Sequence, residues 1–181
     1  MIKATIFIFL ISFTLSNSQT VLVDNARINF YKASQEEKYL LMAVELFEEI
    51  LKNSSQNEAR WKVYLGSLES MKAMYSLWPQ NKLEHANKGI SMMEKWIQKA
   101  DSDIEALFVY GTSCYYMPFF MGQKDNADWA FNRIVDVCYK SELLEEKELM
   151  NNVLEFLEKE YDLDDSRKEK LEIIKKKYSS N

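Results

Sequence analysis

Apolar residues recur at every third or fourth position of the chain from Val21 onward. This spacing places apolar side chains on one face of an α-helix, so it predicts a succession of amphipathic helices. We expect seven or eight helices, no convincing strand, and therefore an all-α fold. Two of the predicted apolar faces consist of Leu40, Ala43, Val44, Phe47, Ile50 and Leu51, and of Leu83, Ala86, Ile90, Met93 and Ile97.

Helix boundaries are indicated by capping residues and by the two prolines. A serine followed three residues later by a glutamate has the spacing of a capping box, in which both side chains satisfy backbone amides at a helix start. Pro79 is predicted to end one helix or open the next, and Pro118 to end or kink the helix that contains Cys114. The capping-box spacing occurs in Ser34 with Glu37, Ser55 with Glu58, and Ser102 with Glu105.

The first residues have the order of a secretory signal peptide. Lys3 precedes an apolar run over 4–15 that is too short for a comfortable membrane span, and small residues precede a possible cleavage site. We predict cleavage after Ser18 and a mature protein that is secreted or periplasmic, without a stable membrane span. A short buried helix or an uncleaved anchor is the alternative.

The predicted domain organisation has three parts. Residues 1–18 form the signal peptide, 19–161 a helical-repeat domain, and 162–181 a charged C-terminal helix or tail. More than half of the residues in this last segment are charged, which predicts a solvated helix. Its narrow apolar face consists of Leu171, Ile174 and Tyr178.

The chain resembles itself when it is shifted by 46 residues. In both copies a small residue is followed four positions later by a large residue, and a second large residue follows three positions after the first. Small residues allow two helices to approach, and large residues fill the space between successive helix pairs. The aligned pairs are Ala43 with Gly89, Phe47 with Met93, Ile50 with Trp96, Ser55 with Asp101, Trp61 with Leu107, and Tyr64 with Tyr110.

This register resembles the tetratricopeptide repeat (TPR) over about residues 36–140. The resemblance implies a TPR-like stack of antiparallel helical hairpins, similar to small secreted TPR-like proteins of uncharacterised function. The period of 46 differs from the usual 34, and Ser55 and Asp101 replace the closing proline. An irregular helical bundle is the alternative. The matching residues are Ala43, Phe47 and Ile50 for the second helix of the motif, and Trp61, Tyr64, Leu107, Tyr110 and Gly111 for the first.

Composition narrows the functional classes. The chain of 181 residues is 47% hydrophobic, enough to fill a core, and its net charge of −5 argues against a nucleic-acid partner bound by phosphate neutralisation. Two cysteines cannot form a disulfide-dense scaffold, and four glycines leave no Gly-rich phosphate loop.

No catalytic, cofactor-binding or metal-binding constellation is predicted. A triad or a zinc site would depend on His85, the only histidine, and a solvated or helix-packing histidine is the simpler interpretation. Acidic pairs such as Glu48 and Glu49 are adjacent, and neighbours on a helix point about 100° apart, so they do not share a site. We therefore predict that the protein is not an enzyme.

Cys114 and Cys138 lie on apolar helix faces. In a hairpin that turns between them, their offset along the helix axes is about 10 Å at the rise of an α-helix. A disulfide tolerates about 7 Å between Cα atoms, so buried free thiols are predicted and a disulfide is the alternative.

The segment 108–131 contains more aromatic side chains than one helix face can bury. They form either a thick core or a recognition surface, for which the polar groups of Tyr and Trp are suited. Tyr116 and Phe120 are four residues apart and are predicted to share a helix face outside the repeat register. The candidate binding residues are Tyr115, Tyr116, Phe119, Phe120 and Trp129.

These features together predict an extracytoplasmic, non-enzymatic interaction module that binds a protein or peptide partner through the aromatic-rich surface. The alternative is a periplasmic carrier that encloses a small apolar or aromatic ligand between its helices.

Overall fold

The computed structural model describes residues 19–141 and 146–179, so the predicted signal peptide lies outside the described residues. Within them all regular structure is helical, which confirms the all-α fold with antiparallel packing. None of the described helices combines the length and apolarity needed to cross a bilayer. The helices are α1 over 19–32, α2 Glu37–Asn53, α3 Glu58–Tyr75, α4 Pro79–Ile97, α5 Ile104–Tyr115, α6 Lys124–Lys140, α7 Lys147–Lys159 and α8 Asp165–Ser179, with a 3-10 helix at Phe119–Met121.

The chain divides into two compact units, and the boundary between them, after Met92, lies inside α4. In the first unit α2 packs against α3, and in the second α5 packs against α6 while α8 packs against α6 and α7. Helical periodicity predicts the buried faces because each helix has a neighbour on one side. Fully buried side chains include Phe47, Ile50, Tyr64 and Leu68 in the first unit, and Leu107, Phe131, Ile134 and Met150 in the second.

The core of the first unit is aromatic. The ring of Tyr64 on α3 stacks on Phe47 of α2 at a centroid distance of 4.6 Å and meets Phe30 of α1 edge-on at 4.7 Å. Trp61, one turn before Tyr64, stacks on Phe47 at 5.8 Å. All four rings are buried, so α1, α2 and α3 share one core.

Small residues allow close helix contacts at two places, as the repeat register predicts. A Cβ atom on Gly89 of α4 would lie 2.4 Å from the backbone nitrogen of Ser70 and 2.5 Å from the carbonyl oxygen of Gly66, both on α3. A Cβ atom on Gly111 of α5 would lie 2.6 Å from Cε1 of Phe131 on α6. In both hairpins the absence of a side chain sets the distance between the helices.

Most positions that the 46-residue shift aligns are buried. The exceptions are the turn residues Ser55 and Asp101, which are exposed, and Trp96, which is half-buried, whereas Ile97 beside it is fully buried. Leu83, predicted on the apolar face of α4, is exposed, so that expectation is wrong. The buried aligned positions are Ala43, Phe47, Ile50, Trp61, Tyr64, Gly89, Met93, Leu107 and Tyr110. The TPR resemblance itself stays a prediction.

The three predicted capping boxes are wrong, because each helix begins one or two residues later than its serine would require. Before α5 the side chain of Asp103 accepts a hydrogen bond from the backbone nitrogen of Ala106 at 2.9 Å, and this carboxylate takes the role expected of the neighbouring serine. The two prolines act as predicted, since Pro79 opens α4 and α5 ends three residues before Pro118. The N-cap residues are Glu36, Asn57 and Asp103 instead of Ser34, Ser55 and Ser102.

The charged C-terminal segment forms a helix, as predicted, but this helix is not merely solvated. Leu171 and Ile174 of α8 are buried, and Nζ of Lys170 lies 2.7 Å from Oδ1 of Asp136 on α6. A narrow apolar face is sufficient here because α6 and α7 supply the rest of the contact. The segment is therefore part of the second unit.

Candidate functional site

Four of the five candidate binding residues lie at the connection between α5 and α6. We call Tyr115, Tyr116, Phe119 and Phe120 the loop aromatics. Phe119 is 96% exposed, Phe120 72% and Tyr116 70%, while Tyr115 is less exposed. The structure therefore places these four side chains at the surface of the second unit, and does not bury them in its core.

The loop backbone is held by its own hydrogen bonds. Pro118 precedes the 3-10 turn, and its carbonyl accepts from the nitrogen of Met121 at 2.9 Å. Gly122 closes the turn with a left-handed φ of 66°, a conformation that glycine adopts without steric cost, and its nitrogen donates to the carbonyl of Phe119 at 3.1 Å. The Phe119 and Phe120 side chains are therefore presented to solvent from a defined turn.

The rings of Tyr115 and Tyr116 pack against the aromatic core of the second unit. The ring of Tyr115 meets Phe156 of α7 edge-on at 5.5 Å, and its hydroxyl donates to the carbonyl of Glu160 at 2.9 Å. Tyr116 meets Tyr115 edge-on at 5.2 Å. Burial, followed by the nearby charge of Glu160, raises the pKa of Tyr116. These tyrosines join the exposed phenylalanines to the buried core.

Trp129, the fifth candidate, is positioned separately on α6. Its partly exposed ring meets Tyr110 of α5 edge-on at 6.2 Å, whereas Tyr115 and Tyr116 meet Phe156 of α7. Tyr110 is buried, so this contact lies on the core side of α5, and burial raises the pKa of the Tyr110 hydroxyl. The structure thus brings four of the five candidates into one loop and leaves Trp129 on a neighbouring helix.

The predicted shared helix face of Tyr116 and Phe120 is wrong. Because α5 ends at Tyr115, Tyr116 caps that helix and Phe120 lies in the separate 3-10 turn. Pro118 causes the break, since proline disfavours helical conformation in the residue before it. Both side chains are nevertheless mainly exposed, although the ring of Tyr116 keeps an edge contact with Phe156 of α7.

A buried carboxylate in the first unit is surrounded by basic groups. Oε1 of Glu69 on α3 lies 3.1 Å from Nδ1 of His85 and 2.9 Å from Nζ of Lys88, both on α4, and Oε2 lies 2.7 Å from Nζ of Lys72. Burial by itself would raise the pKa of Glu69, but the hydrogen bonds from Lys72, Lys88 and His85 lower it to about 2. A general base needs a pKa near the working pH, so this cluster holds helices together and is unsuited to proton transfer.

Sequence reasoning found His85 but did not single out Glu69. The available signal was its position four residues after Leu65, which puts this acid on the apolar face of α3. Within residues 19–141 and 146–179 no group of three or more His, Cys, Asp or Glu side chains could hold a metal ion.

An open groove of about 460 Å³ lies between α7 and α8. Its lining is largely charged, and across it Nζ of Lys175 lies 2.6 Å from Oε1 of Glu158. Sites for apolar ligands are enclosed and mainly hydrophobic. This groove therefore gives no support to the alternative of an apolar-ligand carrier.

Comparison of the chain with protein-family models, with curated proteins and with solved structures finds no match. The functional interpretation therefore rests on the geometry of this chain alone.

Proposed function

We propose that the protein is a non-enzymatic helical module that binds a protein or peptide partner through the loop aromatics. The observation that carries the proposal is the high exposure of Phe119 and Phe120 on a loop with a hydrogen-bonded backbone. Contiguous exposed apolar side chains are uncommon on monomeric proteins and mark interaction sites. Aromatic side chains, phenylalanine among them, are also enriched at protein interfaces relative to the rest of the surface.

The proposed partner offers apolar pockets for the two phenylalanine side chains. Tyr116 lies at the base of the loop, where its hydroxyl can exchange hydrogen bonds at the rim of such an interface. The contacts of Tyr115 with Phe156 and Glu160 hold the base of the loop in place before binding. A fixed anchor loses less conformational entropy on binding than a mobile one, which favours recognition of a shaped protein surface.

Photo-crosslinking from position 119 in the producing cells would identify the partner, and titration with purified partner would then measure affinity. We expect Phe119→Ser combined with Phe120→Ser to weaken binding about tenfold or more. The matched control is Leu77→Ser combined with Trp78→Ser, which changes an equally exposed pair in the first unit. Equal affinities of the two double variants would refute the proposed site.

We also propose an extracytoplasmic location, supported by the sequence order of residues 1–18. Exported protein should begin at or near Gln19. N-terminal sequencing that finds intact Met1 on the exported protein would contradict cleavage.

A further inference from the structure

The first turn of α1 lies in solvent, outside the core of the first unit. Gln19 is the first residue of this helix, and Gln19, Thr20 and Val21 are all exposed. The first buried side chain of α1 is Ala26, about two helical turns further along. The start of α1 is therefore accessible to reagents and to enzymes that act on chain ends.

The proposed cleavage after Ser18 would give Gln19 a free α-amine. Such amines titrate just above neutral pH, so part of the population is unprotonated and nucleophilic in a neutral compartment. The amide carbon Cδ of the same side chain is an electrophile, and only Cα, Cβ and Cγ separate it from the α-amine nitrogen. Reacting groups within one residue meet far more often than separate reactants do.

We propose that Gln19 of the exported chain cyclises to pyroglutamate, a modification that rests on the proposed cleavage after Ser18. The α-amine nitrogen attacks Cδ, and a new C–N bond closes a five-membered lactam. The bond between Cδ and Nε2 breaks, and Nε2 leaves as ammonia with the proton that the α-amine loses. The reaction consumes no oxidant, reductant or water, and the solvated end of α1 admits both the uncatalysed reaction and a cyclase.

Among the residues around the predicted cut, only Gln19 can form this ring as the first residue. The side chains of Ser18 and Thr20 have no amide group. The side chain of Asn17 is one carbon shorter and would have to close a strained four-membered ring. Cleavage one bond earlier or later would therefore leave an end that does not cyclise, so the modification reports the exact position of the cut.

Cyclisation would change the charge and the protease resistance of this end. The start of a helix carries the positive pole of its dipole, so a terminal ammonium is unfavourable there and the neutral lactam removes it. The lactam also lacks the free amine that aminopeptidases recognise. This protection concerns the core, because Phe30 of α1 is buried and meets Tyr64 edge-on at 4.7 Å.

Mass spectrometry of the protein exported by the producing cells tests the proposal. Acetylation of all free amines before digestion prevents Gln19 from cyclising during handling. Trypsin then releases an N-terminal peptide that covers residues 19–27 and ends at Arg27. We expect this peptide to be unacetylated and about 17 Da lighter than the linear peptide, which is the mass of one ammonia. Pyroglutamyl aminopeptidase should then make Thr20 the first residue.

Gln19→Asn is the matched control, since it keeps an amide side chain at an exposed position but cannot close the five-membered ring. Its exported chain should carry an acetylated amine at position 19, and a broad-specificity aminopeptidase should trim it while leaving the unchanged chain intact. An acetylated, linear Gln19 would overturn cyclisation and leave the proposed cleavage standing. A chain that begins at Met1, Ser18 or Thr20 would overturn both. The same loss of mass in Gln19→Asn would assign it to another residue and also overturn the proposal.

Discussion

Oε1 of Glu69 on α3 lies 3.1 Å from Nδ1 of His85 on α4, so a buried carboxylate connects the two helices of this hairpin. Lys88, about one turn further along α4, contacts the same oxygen at 2.9 Å. The backbones of these helices approach closely at Gly89, the next residue. Charge pairing and close backbone contact thus occur at the same level of the α3–α4 hairpin, and both hold the two helices together.

We expect Glu69→Gln to destabilise the protein at neutral pH. The folded pKa of about 2 lies below the ordinary 4.5, so the charge contributes stability above pH 4.5 that is lost as pH falls toward 2. The shift corresponds to a loss of at most about 3 kcal/mol at pH 7. Urea unfolding of both proteins should show a difference at pH 7 that shrinks steadily below pH 4.5.

The matched control is Glu155→Gln, which removes an exposed carboxylate paired with Lys159 at 2.8 Å. It should leave the free energy of unfolding nearly unchanged at neutral pH, because exposed pairs are screened by solvent. A Glu69→Gln effect that is equally large at pH 7 and pH 2.5 would assign the loss to packing and contradict the charge interpretation.

Trp61→Ala should cost about 3–5 kcal/mol of stability, from lost burial and the cavity left behind. The ring is buried, stacks on Phe47, and donates from Nε1 to the carbonyl of Gln56 at 3.1 Å. Trp78→Ala removes the same side chain from an exposed position and should change stability by no more than about 0.5 kcal/mol. Chemical unfolding of the two variants measures the contrast, and equal losses would disprove the assigned core.

Gly89→Ala should destabilise the protein although alanine favours helices. The new Cβ would lie 2.4 Å from the nitrogen of Ser70, and this contact is with backbone that cannot rotate away. The expected cost of overpacking, about 1–3 kcal/mol, exceeds the helix-propensity gain of about 1 kcal/mol. Ser91→Ala, at an exposed position of the same helix, is the control and should be nearly neutral. A more stable Gly89→Ala variant would mean that the two helices are further apart.

Helical periodicity predicts the buried faces well, because burial of Phe47 or Leu107 depends on spacing within one helix. Periodicity does not predict burial where the exposure of a side chain depends on contacts with another helix. Leu83 satisfies the spacing but stays exposed, and Glu69 is buried because α4 supplies its basic partners. The predicted cap positions are wrong for a local reason. Asp103 competes with Ser102 beside it, and the geometry of the turn determines which side chain reaches the backbone nitrogen of Ala106.

The sequence places four of the five candidate residues in one short segment, but it does not predict their exposure. The sequence names Tyr115, Tyr116, Phe119 and Phe120, yet it cannot tell core from surface. That difference depends on Phe156 of α7, which covers one side of Tyr115, while the loop carries Phe119 away from the core.

Native thiol labelling should find both cysteines unreactive. Cys114 and Cys138 are buried and form no disulfide, which confirms the prediction that they are not cross-linked. Burial raises the pKa of Cys114 to about 12, so the reactive thiolate is scarce at pH 8. Iodoacetamide should modify neither thiol in folded protein and both in urea. An intact mass two hydrogens lighter, mapped to this pair, would contradict the structure.

Tyr116→Ser combined with Phe120→Ser should leave the melting temperature nearly unchanged, because both side chains are mainly solvated. Phe131→Ala is the comparison in the same unit, since its fully buried ring contacts Tyr161 at 4.6 Å and should cost about 3–5 kcal/mol. The rings of Tyr116 and Phe156 meet edge-on with a centroid distance of 6.4 Å, but one edge contact on an exposed ring contributes little to stability. If thermal melts show that the double variant unfolds as readily as Phe131→Ala, the loop aromatics are structural and the proposed recognition surface is lost. If the melts coincide with the unchanged protein, any loss of partner binding in that variant belongs to the surface itself.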